Sequence, residues 1–197
     1  MPDVIDTLAG LSPGSPLHAI RDQRPQARIH AQASYDSLFA PQSEVDASKV
    51  ERFAIACFVA GLHGRPETEA FYGAGLAGAA APAGLKEAIA AAVAAARGEG
   101  PYGHYPKGPL STEDQSGPVH RLDAATRTAL GARLATAFEH THMLVFHPRD
   151  SAPAYLQSLI DAGWSTTGIV VISQLVAFLS YQIRVVAGLR ALSARPA

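Results

Sequence analysis

The apolar run at residues 169–183, IVVISQLVAFLSYQI, constrains the fold of this chain more than any other stretch. It is 15 residues long and includes five polar side chains, whereas a bilayer-spanning helix needs about 20 apolar residues. A helix that is apolar nearly all round is typical of the centre of a helical bundle. The run therefore predicts a buried central helix and no association with a membrane.

Apolar spacing and helix-ending residues predict the other elements. Apolar residues recur three and four positions apart over residues 47–63, and Gly64 and Pro66 follow them. Further helices are predicted at residues 67–80, 85–97, 123–143, 153–162 and 166–192, with Ser151 as the N-cap of the fourth and Ser165 or Thr166 as that of the last. No two segments alternate as paired strands do. The sequence predicts an all-α fold of six or seven helices.

Two segments lack a strong helical pattern. Residues 1–46 are rich in turns and suggest one short helix near residues 17–22, so they are expected to form an N-terminal arm around a single domain at residues 47–197. Residues 98–120 contain many Gly and Pro residues together with Tyr102, His104, Tyr105 and Lys107. A loop of that length is usually functional or mobile.

Charge and cysteine content limit the classes of function. The 16 Lys and Arg residues are balanced by 17 Asp and Glu residues, which gives a net charge of −1 and predicts no nucleic-acid partner. A single cysteine excludes an internal disulfide, and the N-terminal decapeptide carries acids where a signal peptide carries bases. We expect a cytoplasmic protein.

The order of elements near the C-terminus resembles a known family. A short helix ending in Ala162-Gly163 is followed by a capped turn and a long apolar helix, which carries Phe178, Tyr181, Arg184 and Gly188. This arrangement is similar to the carboxymuconolactone decarboxylase superfamily, and in particular to its alkylhydroperoxidase AhpD-like branch. The resemblance covers residues 47–192 and implies an AhpD-like helical bundle.

The AhpD-like active site consists of a glutamate, a Cys-x-x-Cys pair and a histidine. One thiolate attacks, the second resolves the intermediate, and the Glu and His relay protons. With residues 62–64 placed just before the first cysteine, the family positions fall on Phe53, Arg65, Thr68 and Tyr72. All four are substituted, so the resemblance implies a degenerate redox site that uses no cofactor.

Cys57 has two interpretations. It lies on the apolar stripe of its helix, which favours a buried, inert thiol. The alternative is a one-cysteine peroxidase that uses His63, but six residues along a helix turn the two side chains away from each other.

Three other groups of residues suggest sites of their own. Gly73, Gly75 and Gly78 match a dinucleotide fingerprint but lack the flanking strands, so close helix packing is the simpler explanation. His140, His142 and His147, with His104 or His120 from the loop, could hold a divalent metal or could instead cap carbonyls near a helix end. Arg184 could anchor an anion in a pocket, or could pair with Glu51 or Asp161.

Two functions follow from these predictions. The first is a non-peroxidatic small-molecule binding or accessory subunit, which resembles oligomeric relatives and is therefore expected to form a homo-oligomer, most simply a dimer, beside an intact AhpD-like partner. The second is a cofactor-free enzyme like the decarboxylases of the superfamily, or a residual alkylhydroperoxidase-related oxidoreductase. The candidate pocket consists of His63, Tyr72, Arg184 and His140, and no metal is expected.

Overall fold

Helices account for most of the chain in the computed structural model, which describes residues 3–194. Within these residues there are nine α-helices and no β-strand, which confirms the predicted all-α fold class. The helices are α1 (Val4–Ala9), α2 (Pro16–Asp22), α3 (Pro25–Phe39), α4 (Lys49–Leu62), α5 (Pro66–Gly78), α6 (Leu85–Ala96), α7 (Ala124–Phe146), α8 (Pro153–Asp161) and α9 (Thr166–Ser193). Two short 3-10 turns lie at Pro109–Glu113 and Pro148–Asp150.

Helix α4 lies at the centre of the bundle. Every side chain from Ala54 to Leu62 is buried, and α4 contacts α3, α5, α6, α7 and α9. Small residues allow this close approach: a Cβ added to Gly61 would lie 2.6 Å from a methyl group of Val93 in α6. The helix starts at a capping box in which the Ser48 and Glu51 side chains bond to each other's backbone N–H groups.

Helix α9 contributes to the core along one face only. Ile172, Leu175 and Leu179 are fully buried, whereas Val170 and Tyr181 on the other face are about half exposed. The prediction that residues 169–183 form the central helix is therefore wrong: α4 occupies the centre, and α9 packs beside it. By length and composition alone α9 could cross a membrane, and 44% of its most apolar window is buried.

The N-terminal arm is more helical and more deeply buried than predicted. Helix α2 matches the expected short helix, but α1 and α3 were missed. Ile5 is fully buried, and Val4, Leu8 and Phe39 join the same core as α4 and α9. The arm thus completes the core rather than wrapping it. Residues 1–2 of the predicted arm and 195–197 of the predicted domain lie outside the described residues.

A charged cluster holds the arm together. Arg21 donates to Asp3 at 2.7 Å and also to Asp6, which accepts in addition from Arg28. Arg190 of α9 donates to the backbone carbonyl of Leu8 at 2.7 Å, which ties the end of α1 to the longest helix. These charge-assisted bonds add to the apolar contacts that hold the arm in place.

The connections around α7 and α8 differ in detail from the prediction. Gly131 interrupts α7 with a φ of 76°, a left-handed value that favours glycine. Helix α8 begins with Pro153 at its first position, and its N-cap is Ala152 without a side-chain bond, so Ser151 is not the cap. Ser165 does cap α9, because its hydroxyl accepts from the Gly168 N–H at 2.9 Å.

Residues 98–120 form the predicted long loop, and it lies against the C-terminal end of α7. The Tyr102 N–H donates to the Phe146 carbonyl at 2.6 Å. Nε2 of His147 lies 3.0 Å from the Pro118 carbonyl oxygen, and Nδ1 lies 3.0 Å from an Asp150 carboxylate oxygen. The start of the loop therefore lies beside the end of α7, where Gly100 and Pro101 line a cavity together with residues of α9.

The glycines of α5 provide a test of the packing interpretation. A methyl group at Gly75 would lie 2.2 Å from the Phe53 ring, while one at Gly73 would meet nothing within 4 Å. Gly75→Ala is expected to lower the free energy of unfolding by about 1–3 kcal/mol through overpacking, whereas Gly73→Ala should raise it by up to about 1 kcal/mol through helix propensity. Urea unfolding of both variants measures this, and equal stability of the two would contradict it.

Candidate functional site

Cys57 is buried within α4, as predicted for an inert thiol. It is 5% exposed, and burial, with a smaller contribution from Glu69, raises the pKa of its thiol to about 12. A thiolate is the reactive form of cysteine. At neutral pH this side chain therefore behaves as a small apolar residue.

Aromatic side chains surround two of the four positions that correspond to the family site. The rings of Phe53 and Tyr72 each lie 5.0 Å from the ring of Phe39, which comes from the arm. Thr68 is buried one turn before Tyr72, and Arg65 is exposed at the N-cap of α5. The four positions therefore do not form an open pocket with acid, base or nucleophile.

Tyr72 is part of the core. It is fully buried, and its hydroxyl donates to Oε1 of Gln182 at 2.6 Å. Burial raises the pKa of Tyr72 well above its usual value. Tyr72 therefore does not share a cavity with the other predicted pocket residues.

His63 and Arg184 do converge, on a cavity of about 470 Å³ between the C-terminal ends of α4 and α7, the middle of α9 and the start of the long loop. This space is called the His63 cavity below. Its lining residues are His63, Gly100, Pro101, Leu144, Val145, Phe146, Pro148, Ser173, Val176, Ala177, Ser180 and Arg184. The volume lies within the range of roughly 300–1,000 Å³ that small-molecule pockets occupy.

The polar side chains of His63, Ser180 and Arg184 lie at one end of the His63 cavity, and that of Ser173 lies at the other. Nε2 of His63 is 3.5 Å from the Ser180 hydroxyl. Burial, and then the charges of Arg184 and Arg65, lower the pKa of His63 to about 4. The imidazole is therefore neutral at pH 7 and can both donate and accept a hydrogen bond.

Arg184 does not form the ion pair that was considered for it. Glu51 pairs with Arg133 at 2.7 Å instead, and Asp161 accepts from Gln157. Arg184 is exposed and donates to the Ser180 carbonyl at 2.9 Å, one turn earlier in α9. It makes no salt bridge with any residue between positions 3 and 194.

His140 lies apart from the His63 cavity. It is 3% exposed, neither ring nitrogen has a hydrogen-bond partner within the described part of the chain, and burial lowers its pKa to about 4. His140 therefore does not line the His63 cavity, because its side chain is enclosed by the core. Nothing in the sequence around His140 distinguishes it from a pocket residue.

The other histidines near the end of α7 bond to backbone carbonyls, as one of the two predicted alternatives has it. Nε2 of His142 lies 3.1 Å from the carbonyl oxygen of Ala96, the last residue of α6. The rings of His120 and His142 are 4.8 Å apart. Even so, residues 3–194 contain no group of three or more His, Cys, Asp or Glu side chains arranged to hold a metal ion.

A second groove of about 470 Å³ runs between α3 and α9. It is lined by Gln174, Phe178 and Tyr181 of α9 together with residues of α3 that include His30. Ala177 borders both spaces. The His63 cavity is the better candidate site, because an arginine, a histidine and a serine meet at one end of it.

Comparison with known proteins does not assign a family. No family model, curated protein or solved structure matches this chain. The functional interpretation therefore depends on the residues of the cavity and on the resemblance noted in the sequence.

The two buried histidines of α7 give a pH-dependent prediction. In the folded protein, burial lowers the pKa of His140 and of His142 to about 4. A histidine in the unfolded chain has a pKa of about 6.5. Between pH 4 and pH 6.5 the unfolded state therefore binds more protons than the folded state. The free energy of unfolding is highest above pH 6.5 and decreases as the pH falls towards 4, by about 1.4 kcal/mol per pH unit for each histidine. Urea unfolding at pH 7, 6 and 5 measures the slope.

Leucine at each position separates the roles of the two histidines. His140→Leu should reduce the slope without lowering stability at pH 7, because it removes a buried polar group that has no partner. His142→Leu should reduce the slope as well but cost about 1–3 kcal/mol at pH 7, because the Ala96 carbonyl loses its donor. A large loss of stability at pH 7 in His140→Leu would contradict this assignment.

Proposed function

We propose that this chain is a cytoplasmic, non-peroxidatic small-molecule-binding protein of AhpD-like type, which binds its ligand in the His63 cavity. One observation supports the proposal most directly: the thiol and the ligand cavity lie apart, whereas a thiol-dependent redox enzyme needs them together. The only thiol is buried in α4, while the space open to a ligand lies where α4 ends, at His63. A ligand in that space therefore meets polar and apolar groups but no thiol.

The degenerate family positions support the same proposal. Phe53 and Tyr72 pack against Phe39, and Arg65 and Thr68 stand where a thiol pair would relay electrons. Arginine and threonine cannot form the disulfide that such a relay needs. The accessory role beside an intact AhpD-like partner is part of this proposal and follows from the resemblance.

The second candidate is a cofactor-free enzyme, and one observation favours it. His63 is neutral at pH 7 and lies in a cavity beside a cation. A side chain with a strongly shifted pKa in a cleft is a candidate for proton transfer. Of the histidines and the tyrosine in the predicted pocket, only His63 lines this cavity, since Tyr72 and His140 are enclosed in the core. An activity lost in His63→Gln while ligand binding persists would favour the enzyme.

The purified protein is expected to bind octan-1-ol in the His63 cavity and to show no dithiol-dependent turnover of an organic hydroperoxide. A thiol cycle requires an accessible thiolate, and Cys57 is buried. Calorimetry measures the binding, and a peroxide assay with thiol titration of the native protein measures the redox activity. Cys57→Ala should bind octan-1-ol within a few-fold of the original affinity and should likewise show no peroxide turnover.

Two neighbouring residues of α9 provide the controls. Ser173→Phe would place a ring in the His63 cavity and should weaken octan-1-ol binding at least tenfold. Gln174→Phe adds the same ring on the other groove and should leave binding within twofold. Robust peroxide turnover that disappears in Cys57→Ala would overturn the non-peroxidatic assignment, and equal octan-1-ol binding by Ser173→Phe and the original protein would overturn the His63 cavity as the binding site.

Homo-oligomerisation, most simply as a dimer, remains a prediction from the resemblance. The outer faces of α5 and α6 present exposed small residues such as Ala74, Ala77, Ala90 and Ala94, which suit close packing of helices about a two-fold axis. Light scattering at micromolar concentration should give the mass of a dimer. The mass of a single 20.6 kDa chain would contradict the prediction.

A further inference from the structure

The His63 cavity has one available cation. Arg184 uses an N–H for the Ser180 carbonyl and makes no salt bridge with any described residue. An arginine carries five N–H donors in a planar fork, so most of them remain for a ligand. A carboxylate matches that fork in a bidentate arrangement. Among the described residues that line the space, none is acidic.

The groups beside Arg184 also suit a carboxylate. His63 is held neutral, so it can donate a hydrogen bond without adding a second charge. The Ser180 hydroxyl lies 3.5 Å from Nε2 of His63 and can donate as well. A cationic ligand would be repelled by Arg184. A dianionic phosphate would leave one of its two negative charges without a cationic partner. A single negative charge is therefore the best match.

Away from Arg184 the cavity is elongated and mainly apolar; the Ser173 hydroxyl at its far end donates to the Ile169 carbonyl at 3.0 Å. Along α9 the lining runs from Ser173 to Arg184, which corresponds to roughly 16 Å of helix. Val176 and Ala177 lie between these ends, and Leu144 and Phe146 of α7 contribute apolar side chains to the same space. Burial of apolar ligand surface against such walls is the main source of affinity in small-molecule sites.

We infer that the His63 cavity selects amphipathic monocarboxylates, with the carboxylate at Arg184 and His63 and an apolar chain along Val176 and Ala177. This inference rests on the proposed small-molecule-binding function and narrows it to one class of ligand. It involves binding only, and no covalent step.

The test compares three probes that share one alkyl chain and differ in the head group. Calorimetric titrations at pH 7 use octanoate, octan-1-ol and octylamine. Octanoate should bind at least tenfold more tightly than octan-1-ol, because only the carboxylate pairs with Arg184. Octylamine should bind most weakly, because its ammonium group would face the guanidinium.

Variants of two arginines identify the anchor. Arg184→Gln should remove the preference for octanoate over octan-1-ol, and Arg184→Lys, which keeps the charge without the fork, should retain part of it. Arg65→Gln is the matched control: Arg65 is exposed and its charge also acts on His63, but it does not line the cavity. This control should bind octanoate within twofold of the original protein.

The outcomes separate the inference from the function on which it rests. Equal affinity for octanoate and octan-1-ol would overturn the monocarboxylate assignment and leave small-molecule binding in place. Binding of none of the three probes would overturn both. A preference for octanoate that survives in Arg184→Gln would overturn the role of Arg184 as the anchor.

Discussion

The burial of α4 on all sides from Ala54 to Leu62 is the constraint on which the rest of the structure depends. A helix can be enclosed on all sides only if its side chains are apolar and enough of them are small, and α4 meets both conditions from Ala54 to Leu62. Gly61 lets α6 approach until Val93 touches the backbone. Because Cys57 lies in the middle of this helix, the packing that builds the core also buries the thiol and raises its pKa to about 12.

Where α4 ends, the packing changes and a site becomes available. His63 is the C-cap of α4 and the first residue of that helix's end to be only partly buried. It meets α9 at Ser180, at a level where the C-terminal end of α7 and the start of the long loop leave space. The arm closes the opposite part of the bundle, because Phe39 packs between Phe53 and Tyr72. Side chains therefore fill the space around Phe53 and Tyr72, whereas the His63 cavity is open.

Local signals predicted the helices well, and long-range packing explains what was missed. Gly64 and Pro66 after α4 and the Ser165 cap of α9 act within a few residues, so the sequence predicted these bounds. The capping box that starts α4 at Ser48 is equally local but was not recognised. Helix α3 carries few buried side chains, and the role of Phe39 depends on partners in α4 and α5. The burial of His140 and the pairing of Glu51 with Arg133 likewise depend on residues far away in the chain. Of the candidate pocket, His63 and Arg184 meet, whereas Tyr72 and His140 are enclosed in the core.

Apolar composition on every side of α9 suggested a central helix, yet one face of α9 is uncovered. Two different demands explain that composition. One face of α9 packs against α4 through Ile172, Leu175 and Leu179, while the other forms the walls of two grooves that share Ala177. A wall that binds an apolar ligand needs the same side chains as a wall that packs against a helix. The apolar pattern of a helix therefore predicts how much of its surface is shielded from water, but it does not predict whether protein or ligand shields that surface.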